Sequence, residues 1–200
     1  MIPIMKKLIL SLALGLLCVA GSCSRTENPY YFDGSVSQAV LERYLARAVT
    51  MSEFLTVDPY CNDGTYPDKA ADVAFIRNTG AKFIGRAIYR WGDEKVLTEP
   101  GFWAGAEALV GEVHAFDPDV IFQAAAFEAV YRDVNEVPVP AWAFEALGLP
   151  VEERNFDYSQ MLSPDGKYVD LWGPGGSVPD ITRVETQLWL MYLIGSYVDI

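Results

Sequence analysis

The stretch 81-AKFIGRAIYRW-91, together with 102-FWAGAEALVGEVHAF-116 and 120-VIFQAAAF-127, decides the fold class of the chain. The first and third segments are short and almost continuously apolar, which is typical of strands buried on both faces. The middle segment has apolar residues every three or four positions, which is the spacing of a helix. A helix of this length can connect two parallel strands in a right-handed crossover. The sequence therefore predicts an α/β fold with a parallel sheet.

Helices are predicted on the N-terminal side of this unit. Ser35 can cap a helix that extends to about Met51, because apolar residues recur along one face of that segment. Pro67 and Asp68 open a second helix, and Gly80 ends it. The strands are thus expected to follow two helices.

A long connection follows the second strand, from Tyr131 to about Val178, and contains one short predicted helix near Trp142. Connections of this length inside a domain are usually functional. A strong helix then extends to about Ser196, and residues 197–200 have the composition of a third strand. Because a domain that stops as a strand enters would have an unpaired edge, we expect the chain to be the front part of a longer protein.

The first residues of the chain have the organisation of an export signal. A basic pair at residues 6–7 precedes an apolar run over residues 8–19, and Ala20-Gly21-Ser22-Cys23 follows. This order is typical of a secretory signal peptide, and the apolar run is shorter than the ~20 residues that span a bilayer. The last four residues resemble the lipobox of bacterial lipoproteins, in which the chain is cut before the cysteine and the thiol is lipidated.

This resemblance implies an organisation and a location. Residues 1–22 would be the signal peptide, Cys23 the lipidation site and residues 23–34 a lipidated tether. The mature chain would belong to the bacterial cell envelope, at the outer membrane or the cell surface, and its membrane contact would be made through lipid. The alternative is a plain cleavage after Ser22, which also fits the small-residue rule.

The order of predicted elements in residues 35–200 resembles an incomplete (β/α)₈ TIM barrel, with its first two to three βα units preceded by helices. An open, doubly wound sheet is the alternative. A secreted lipoprotein rich in Trp and Tyr also resembles the barrel glycoside hydrolases and hydrolase-like proteins of carbohydrate-degrading bacteria. Residues 35–200 would then be the N-terminal part of a barrel domain. Fold alone does not assign an activity.

Composition excludes some classes of function. The chain has 15 Lys and Arg against 27 Asp and Glu, a net charge of −12, so nucleic acid is not an expected partner. After removal of Cys18 and lipidation of Cys23, Cys61 would be the one cysteine remaining, and no intramolecular disulfide is expected. No cofactor is predicted, and no metal site, because the ligand spacings that metals need are missing from the sequence.

Candidate substrate-binding residues come from the strand ends. In a barrel the active face lies at the C-terminal ends of the strands, so the first strand would deliver Arg86, Arg90 and Trp91 toward that face and the second strand would deliver Glu128. Trp172 lies in the long connection and could stack on a sugar. Trp103 and Trp142 are further stacking candidates, with core packing as the alternative for every Trp.

Glu128 has three open interpretations, and direct work as an acid, base or nucleophile is one of them. It could bind substrate hydroxyl groups, or it could form a structural ion pair with Arg86, Arg90 or Arg132. The acidic pair Asp93-Glu94 is expected to be solvated, and His114 is expected to have a surface or capping role.

Catalytic residues cannot be named from this sequence, because glycosidic cleavage needs two carboxylates that face one bond. The expected function is the handling of carbohydrate by an exported lipoprotein, as a glycoside hydrolase or a hydrolase-like protein. The alternatives are a non-catalytic cell-envelope lipoprotein that binds a glycan or a protein partner, and an inactive truncated fragment.

Overall fold

The computed structural model of the protein describes residues 28–62 and 68–200. Helices and strands alternate first: α1 (Gln38–Leu45), β1 (Ala48–Thr50), α2 (Lys69–Thr79), β2 (Phe83–Tyr89), a 3₁₀ helix (Glu94–Thr98), α3 (Pro100–His114) and β3 (Ile121–Ala125). The chain continues with β4 (Val130–Tyr131), a 3₁₀ helix (Arg132–Glu136), α4 (Ala141–Ala146), α5 (Tyr158–Met161), β5 (Gly176–Ser177) and α6 (Val184–Val198). The predicted signal peptide and the Cys23 lipidation site lie outside the described residues.

A three-stranded parallel sheet organises the first half of the described chain. Its order is β1–β2–β3, with Ala48 paired to Phe83 and Phe83 paired to Ile121. The middle strand is the most buried, and its Ile84 and Ile88 side chains are almost inaccessible. The predicted α/β fold with a parallel sheet is confirmed for both predicted strands.

Of the two helices that connect the strands, α2 ends at the predicted residues, and α3 begins and ends two residues before its predicted bounds. The Asp68 side chain accepts a hydrogen bond from the Ala71 N–H at 3.1 Å, and Gly80 ends α2 in the left-handed conformation. Helix α3 has Pro100 in its first turn and buries one face at helical spacing. Because each helix connects adjacent parallel strands, both pack against the same small sheet.

The first predicted helix is too long. Helix α1 ends at Leu45, and Ala48–Thr50 form β1 instead of a last helical turn. The apolar periodicity of this segment is misleading, because Leu41 and Leu45 are exposed in the structure. Backbone pairing with β2, which local periodicity does not encode, determines the conformation here.

The predicted strand at residues 197–200 is wrong. Helix α6 extends to Val198, and its buried residues Leu193 and Tyr197 are one helical turn apart. The third strand of the sheet is β1, which precedes the other two. The expectation that the chain is the front part of a longer protein stays a prediction.

The long connection is a packed structure. Its two ends meet in an antiparallel ribbon, with Val130 paired to Ser177 and Tyr131 paired to Gly176. The chain between them buries apolar side chains, among them Phe144 and Phe156, against α6. The ribbon therefore holds both ends of the connection close to the end of β3.

Residues that precede the strands form what we call the basal cluster: Asn28, Tyr30, Lys82, Asp117 and Asp119. The Lys82 ammonium lies 2.6 Å from Asp117 Oδ1 and 4.5 Å from the Tyr30 ring centroid. Asn28 Nδ2 donates to Asp119 Oδ1 at 2.7 Å. The described part of the predicted tether is thus packed against the N-terminal edge of the sheet.

Within residues 28–62 and 68–200, none of the helices combines the length and apolar character needed to cross a membrane.

Candidate functional site

The C-terminal edge of the sheet brings together side chains from three separate segments. Parallel strands end on the same side, so the residues that follow β1, β2 and β3 meet there. These segments hold Glu53 and Asn62, then Arg90 and Trp91, then Phe127 and Glu128. This edge is where most of the candidate residues lie.

Five rings form what we call the aromatic cluster: Tyr89, Trp91, Phe127, Tyr131 and Trp172. The Trp91 ring centroid lies 5.1 Å from that of Phe127 and 5.5 Å from that of Trp172. Phe127 also makes an edge-to-face contact with Tyr89 at 5.1 Å, and the Trp91 indole N–H donates to the Tyr131 hydroxyl at 3.0 Å. Trp91 and Trp172 are 37% and 39% exposed. The cluster therefore presents two large rings to solvent from a fixed arrangement.

The antiparallel ribbon explains how Trp172 reaches this edge. The Trp172 N–H donates to the Gly176 carbonyl at 3.0 Å, and Gly176 is paired with Tyr131. A Cβ atom on Gly176 would lie 2.4 Å from Tyr131 Cε1, so the close approach of ring and ribbon requires glycine. Two Trp residues that are distant in sequence thus meet through the folded connection.

The other stacking candidates lie elsewhere. The Trp103 indole N–H donates to the Leu97 carbonyl at 2.9 Å, and its ring packs on Phe102 and Tyr197. Trp142 is exposed but contacts Tyr192 of α6. The structure brings Trp91 together with Trp172 and separates both from these two residues.

Arg86 occupies an irregular position inside β2. Ile84 pairs with Phe122 and Ile88 with Ala124, so the strand has a bulge between them. At this bulge Arg86 has a φ of 55°, in the left-handed region that non-glycine residues seldom adopt. Its guanidinium carbon lies 5.2 Å from the Tyr89 ring centroid and 5.3 Å from that of Phe127. Arg86 is therefore part of the surface that the aromatic cluster forms.

Arg90 does not reach this surface. The side chain is buried, its Nε donates to the Gly92 carbonyl at 2.8 Å, and one terminal nitrogen donates to the Tyr60 carbonyl at 2.7 Å. Arg90 is therefore buried beside its exposed neighbour Trp91. Its contacts hold the loops after β1 and β2 together.

The environment of Glu94 in the structure differs from the environment expected from the sequence. The expectation that it is solvated is wrong, because it is only 2% exposed. Its Oε1 accepts from the Tyr131 backbone N–H at 2.9 Å, and its Oε2 has no hydrogen-bond partner within the described residues. Burial raises the pKa of Glu94 to about 7, and the nearby charge of Asp133 adds to the rise. Hydrogen bonds from the backbone N–H groups of Glu94 and Tyr131, and the positive charge of Arg90, oppose it. Glu94 therefore carries a proton through much of the acidic range, and it lies against the backbone of Tyr131, one member of the aromatic cluster.

Glu128 lies open at the end of the segment that follows β3. The side chain is exposed, and none of the described residues forms an ion pair with it, so the pairing expected with Arg86, Arg90 or Arg132 is not observed. Its carboxylate is thus accessible at the same edge as the cluster. Asp93 is exposed as well, as the sequence predicts.

The loop after β1 adds a polar group that the sequence analysis did not select. Glu53 is buried with a φ of 59°, and its Oε1 accepts from both the backbone and the side-chain N–H groups of Asn62. Asn62 in turn accepts from the Trp91 N–H at 3.3 Å. Lys69 donates to the Glu53 carbonyl at 2.7 Å, and burial lowers its pKa. This network fixes the backbone from which Trp91 extends.

His114 Nε2 lies 2.9 Å from the Val120 carbonyl, on the opposite edge of the sheet from the loop that holds Cys61. In the part of the chain that the structure describes, no group of three or more His, Cys, Asp or Glu residues could hold a metal ion. A thiol–imidazole pair therefore has no support from this arrangement.

A cleft of about 610 Å³ lies near the start of α6, and none of the aromatic-cluster residues lines it. Its charged groups neutralise one another, since Arg154 donates to both Glu185 oxygens at 2.8 Å and the Asp157 N–H also donates to Glu185. Both carboxylate oxygens of Glu185 therefore have hydrogen-bond partners. The cleft contains the ion pair that links the long connection to α6.

Comparisons of the chain with protein families, with curated proteins and with solved structures gave no match. Function must therefore be argued from the site itself.

Proposed function

We propose that this chain is an exported protein that binds carbohydrate on the aromatic cluster at the C-terminal edge of its sheet. The observation that carries the proposal is the contact of Trp91 with Trp172, whose rings are 5.5 Å apart and both more than a third exposed. Exposed indole rings offer the flat apolar faces on which a pyranose can stack. Charged and polar groups beside them, Arg86 and Glu128, can fix the orientation of hydroxyl groups.

We also propose that the sheet is the first part of a (β/α) barrel of the glycoside-hydrolase type. The consecutive order β1–β2–β3, with a helix after each of the first two strands, favours a sheet that winds in one direction. A doubly wound sheet reverses its order at the point where the ligand binds. In a barrel, the edge that holds the aromatic cluster is the functional face.

Hydrolysis of the bound carbohydrate is the second candidate function. The raised pKa of Glu94, about 7, lies in the range of a general acid, and Glu128 is an open carboxylate at the same edge. Cleavage needs two carboxyl groups that face one glycosidic bond. Because Glu94 is covered by protein, binding agrees better with this geometry than cleavage does.

Lipid attachment at Cys23 is part of the proposal, and the residues 20–23 that resemble a lipobox support it. Only a few residues separate Cys23 from Asn28, which packs at the N-terminal edge of the sheet. A linker of five residues spans at most about 17 Å, whereas β2 alone is about 23 Å long. The membrane would therefore lie on the side of the basal cluster, and the aromatic cluster would face away from it.

Two substitutions test the carbohydrate site. Trp91→Ala and Trp172→Ala should each weaken binding to a glycan panel about tenfold or more, measured by calorimetry on the folded variants. Trp142→Ala is the matched control, because Trp142 is also 39% exposed but lies on another face. If no glycan binds to the wild-type chain, or if all three variants bind alike, the proposal is wrong.

Further measurements separate the parts of the proposal. Release of reducing sugar by the wild type, abolished in Glu128→Gln, would support hydrolysis, and retention of glycan without release would support binding alone. Glu128→Gln should also weaken binding, and unchanged binding would remove Glu128 from the site. Cys23→Ser should move the protein from the membrane to the soluble fraction, and a variant that stays at the membrane would refute lipidation at this residue.

A further inference from the structure

We infer that the carbohydrate is anionic, and that Arg86 binds its carboxylate or sulfate group. The inference rests on the proposed carbohydrate site and specifies the class of ligand.

Two hydrogen bonds, one at its N–H and one at its carbonyl, hold the backbone of Arg86 in an unfavourable conformation. Its N–H donates to Gln123 Oε1 at 3.1 Å, and its carbonyl accepts from the Glu53 N–H at 3.1 Å. A left-handed arginine costs roughly 1–2 kcal/mol relative to the usual region. Bulges of this kind redirect a side chain. This bulge places the Arg86 guanidinium over the rings of Tyr89 and Phe127, at the C-terminal edge of the sheet.

The guanidinium is fixed over two rings and leaves its donors free. It stacks over Tyr89 and Phe127, and Phe127 also contacts Trp91. Within the described residues, no side-chain or backbone oxygen accepts a hydrogen bond from it and no carboxylate lies within 4.0 Å. By contrast, both Arg90 and Arg154 donate to protein oxygens. Arg86 thus presents a planar set of N–H groups beside an exposed indole.

The chemistry that fits such a group is an anion with two oxygens in a plane. Guanidinium binds carboxylates and other oxyanions through paired, charge-assisted hydrogen bonds. Since Phe127 links Arg86 to Trp91, a sugar stacked on the indole can carry its acidic substituent over the guanidinium. Uronic acids and sulfate esters share this chemistry, and the experiment distinguishes them.

Arg77 supplies a matched control. Its guanidinium also stacks on a ring, 4.3 Å from the Phe116 centroid, and the residue is exposed, but it lies on α2. Substitution of either arginine by Gln removes one positive charge together with the ring contacts of the guanidinium, which are two for Arg86 and one for Arg77. A difference between the two variants in ligand binding therefore reports on position and not on net charge.

The test measures binding of three probes to the full chain: an oligogalacturonide, its carboxyl-reduced neutral counterpart and a sulfated galactan oligosaccharide. We expect wild type to bind one of the two anionic probes about tenfold more tightly than the neutral one. Arg86→Gln should remove that preference, Arg86→Lys should keep part of it, and Arg77→Gln should keep all of it. The anionic probe that binds identifies the acidic group.

Other outcomes overturn the inference. If wild type binds the neutral probe as tightly as the anionic ones, and Trp91→Ala abolishes that binding, the carbohydrate site stands and the charge preference is wrong. If Arg86→Gln retains the preference, Arg86 is not its source. If none of the probes binds, nor any member of the wider glycan panel, both proposals fail.

Discussion

The two ends of the parallel sheet differ in how completely their polar groups are satisfied. At the N-terminal edge, the charged groups of the basal cluster are paired, with Lys82 between Asp117 and Asp119. At the C-terminal edge, the Arg86 guanidinium and one oxygen of Glu94 have no hydrogen-bond acceptor or donor among the described residues. The paired edge stabilises the fold, whereas the unpaired edge keeps groups available for a ligand.

Residues with a strained backbone also lie at the C-terminal edge of the sheet, or in the segment that brings Trp172 to it. The non-glycine residues with positive φ in the described chain are Glu53, Arg86, Asp93, Tyr168 and Asp170. The first three follow or interrupt strands at the C-terminal edge, and the last two lie in the segment that delivers Trp172. Such conformations persist only where the surrounding structure holds them, and they concentrate at functional sites. The following predictions test whether stability and binding are divided between the two edges.

The largest effect is expected from Glu94, whose pKa of about 7 in the folded chain lies above its ordinary value of 4.5. Between these values the folded state binds more protons than the unfolded state, so the free energy of unfolding decreases as the pH rises through this window. The contribution is about 3 kcal/mol, fully present below pH 4.5 and lost above pH 7. Glu94→Gln should remove it, as measured by urea unfolding at several pH values.

Asp93→Asn is the control for this titration, because Asp93 is its exposed neighbour. The control should keep the wild-type decrease in unfolding free energy between pH 4.5 and pH 7. An unchanged pH dependence in Glu94→Gln would show that the buried carboxyl does not titrate in this range.

The second effect is expected at the basal cluster. Lys82→Met leaves the largely buried Asp117 without its cation and should reduce the unfolding free energy by about 2 kcal/mol. Glycan binding by the folded variant should be unchanged, because Lys82 lies at the opposite edge. Arg86→Gln should show the reverse pattern, with stability within about 1 kcal/mol of wild type and altered binding. Loss of binding in Lys82→Met would mean that the two edges are coupled.

The elements that could be predicted are those with local signals. Asp68 and Gly80 mark the ends of α2, and the apolar runs around Ile84 and Phe122 mark β2 and β3. The rule that parallel strands end together also placed Arg86 and Trp91 at one edge. By contrast, β1 depends on pairing with a distant strand, and a short apolar segment such as residues 197–200 does not distinguish strand from helix.

The site was only partly predictable, because its decisive contacts come from the folded connection. The backbone N–H of Tyr131 meets Glu94, and the ribbon brings Trp172 to Trp91, and neither contact has a signature in the separate segments. The acidic pair at residues 93–94 shows most clearly what the sequence could not predict, because Asp93 is exposed and Glu94 is buried. Glu94 is the buried member because the folded connection brings the Tyr131 backbone N–H to its carboxyl group.

The smallest effect is expected from two glycines that each lie against an aromatic ring. In Gly176→Ala the new methyl group would meet the Tyr131 ring at 2.4 Å, and in Gly195→Ala it would meet the Trp142 ring at 2.7 Å. Each substitution should cost about 1 kcal/mol of unfolding free energy through overpacking. Only Gly176→Ala should weaken glycan binding, because displacement of Tyr131 removes the hydroxyl that accepts from the Trp91 indole. Equal binding by the two variants, measured by calorimetry, would show that the position of Tyr131 does not control the exposed rings.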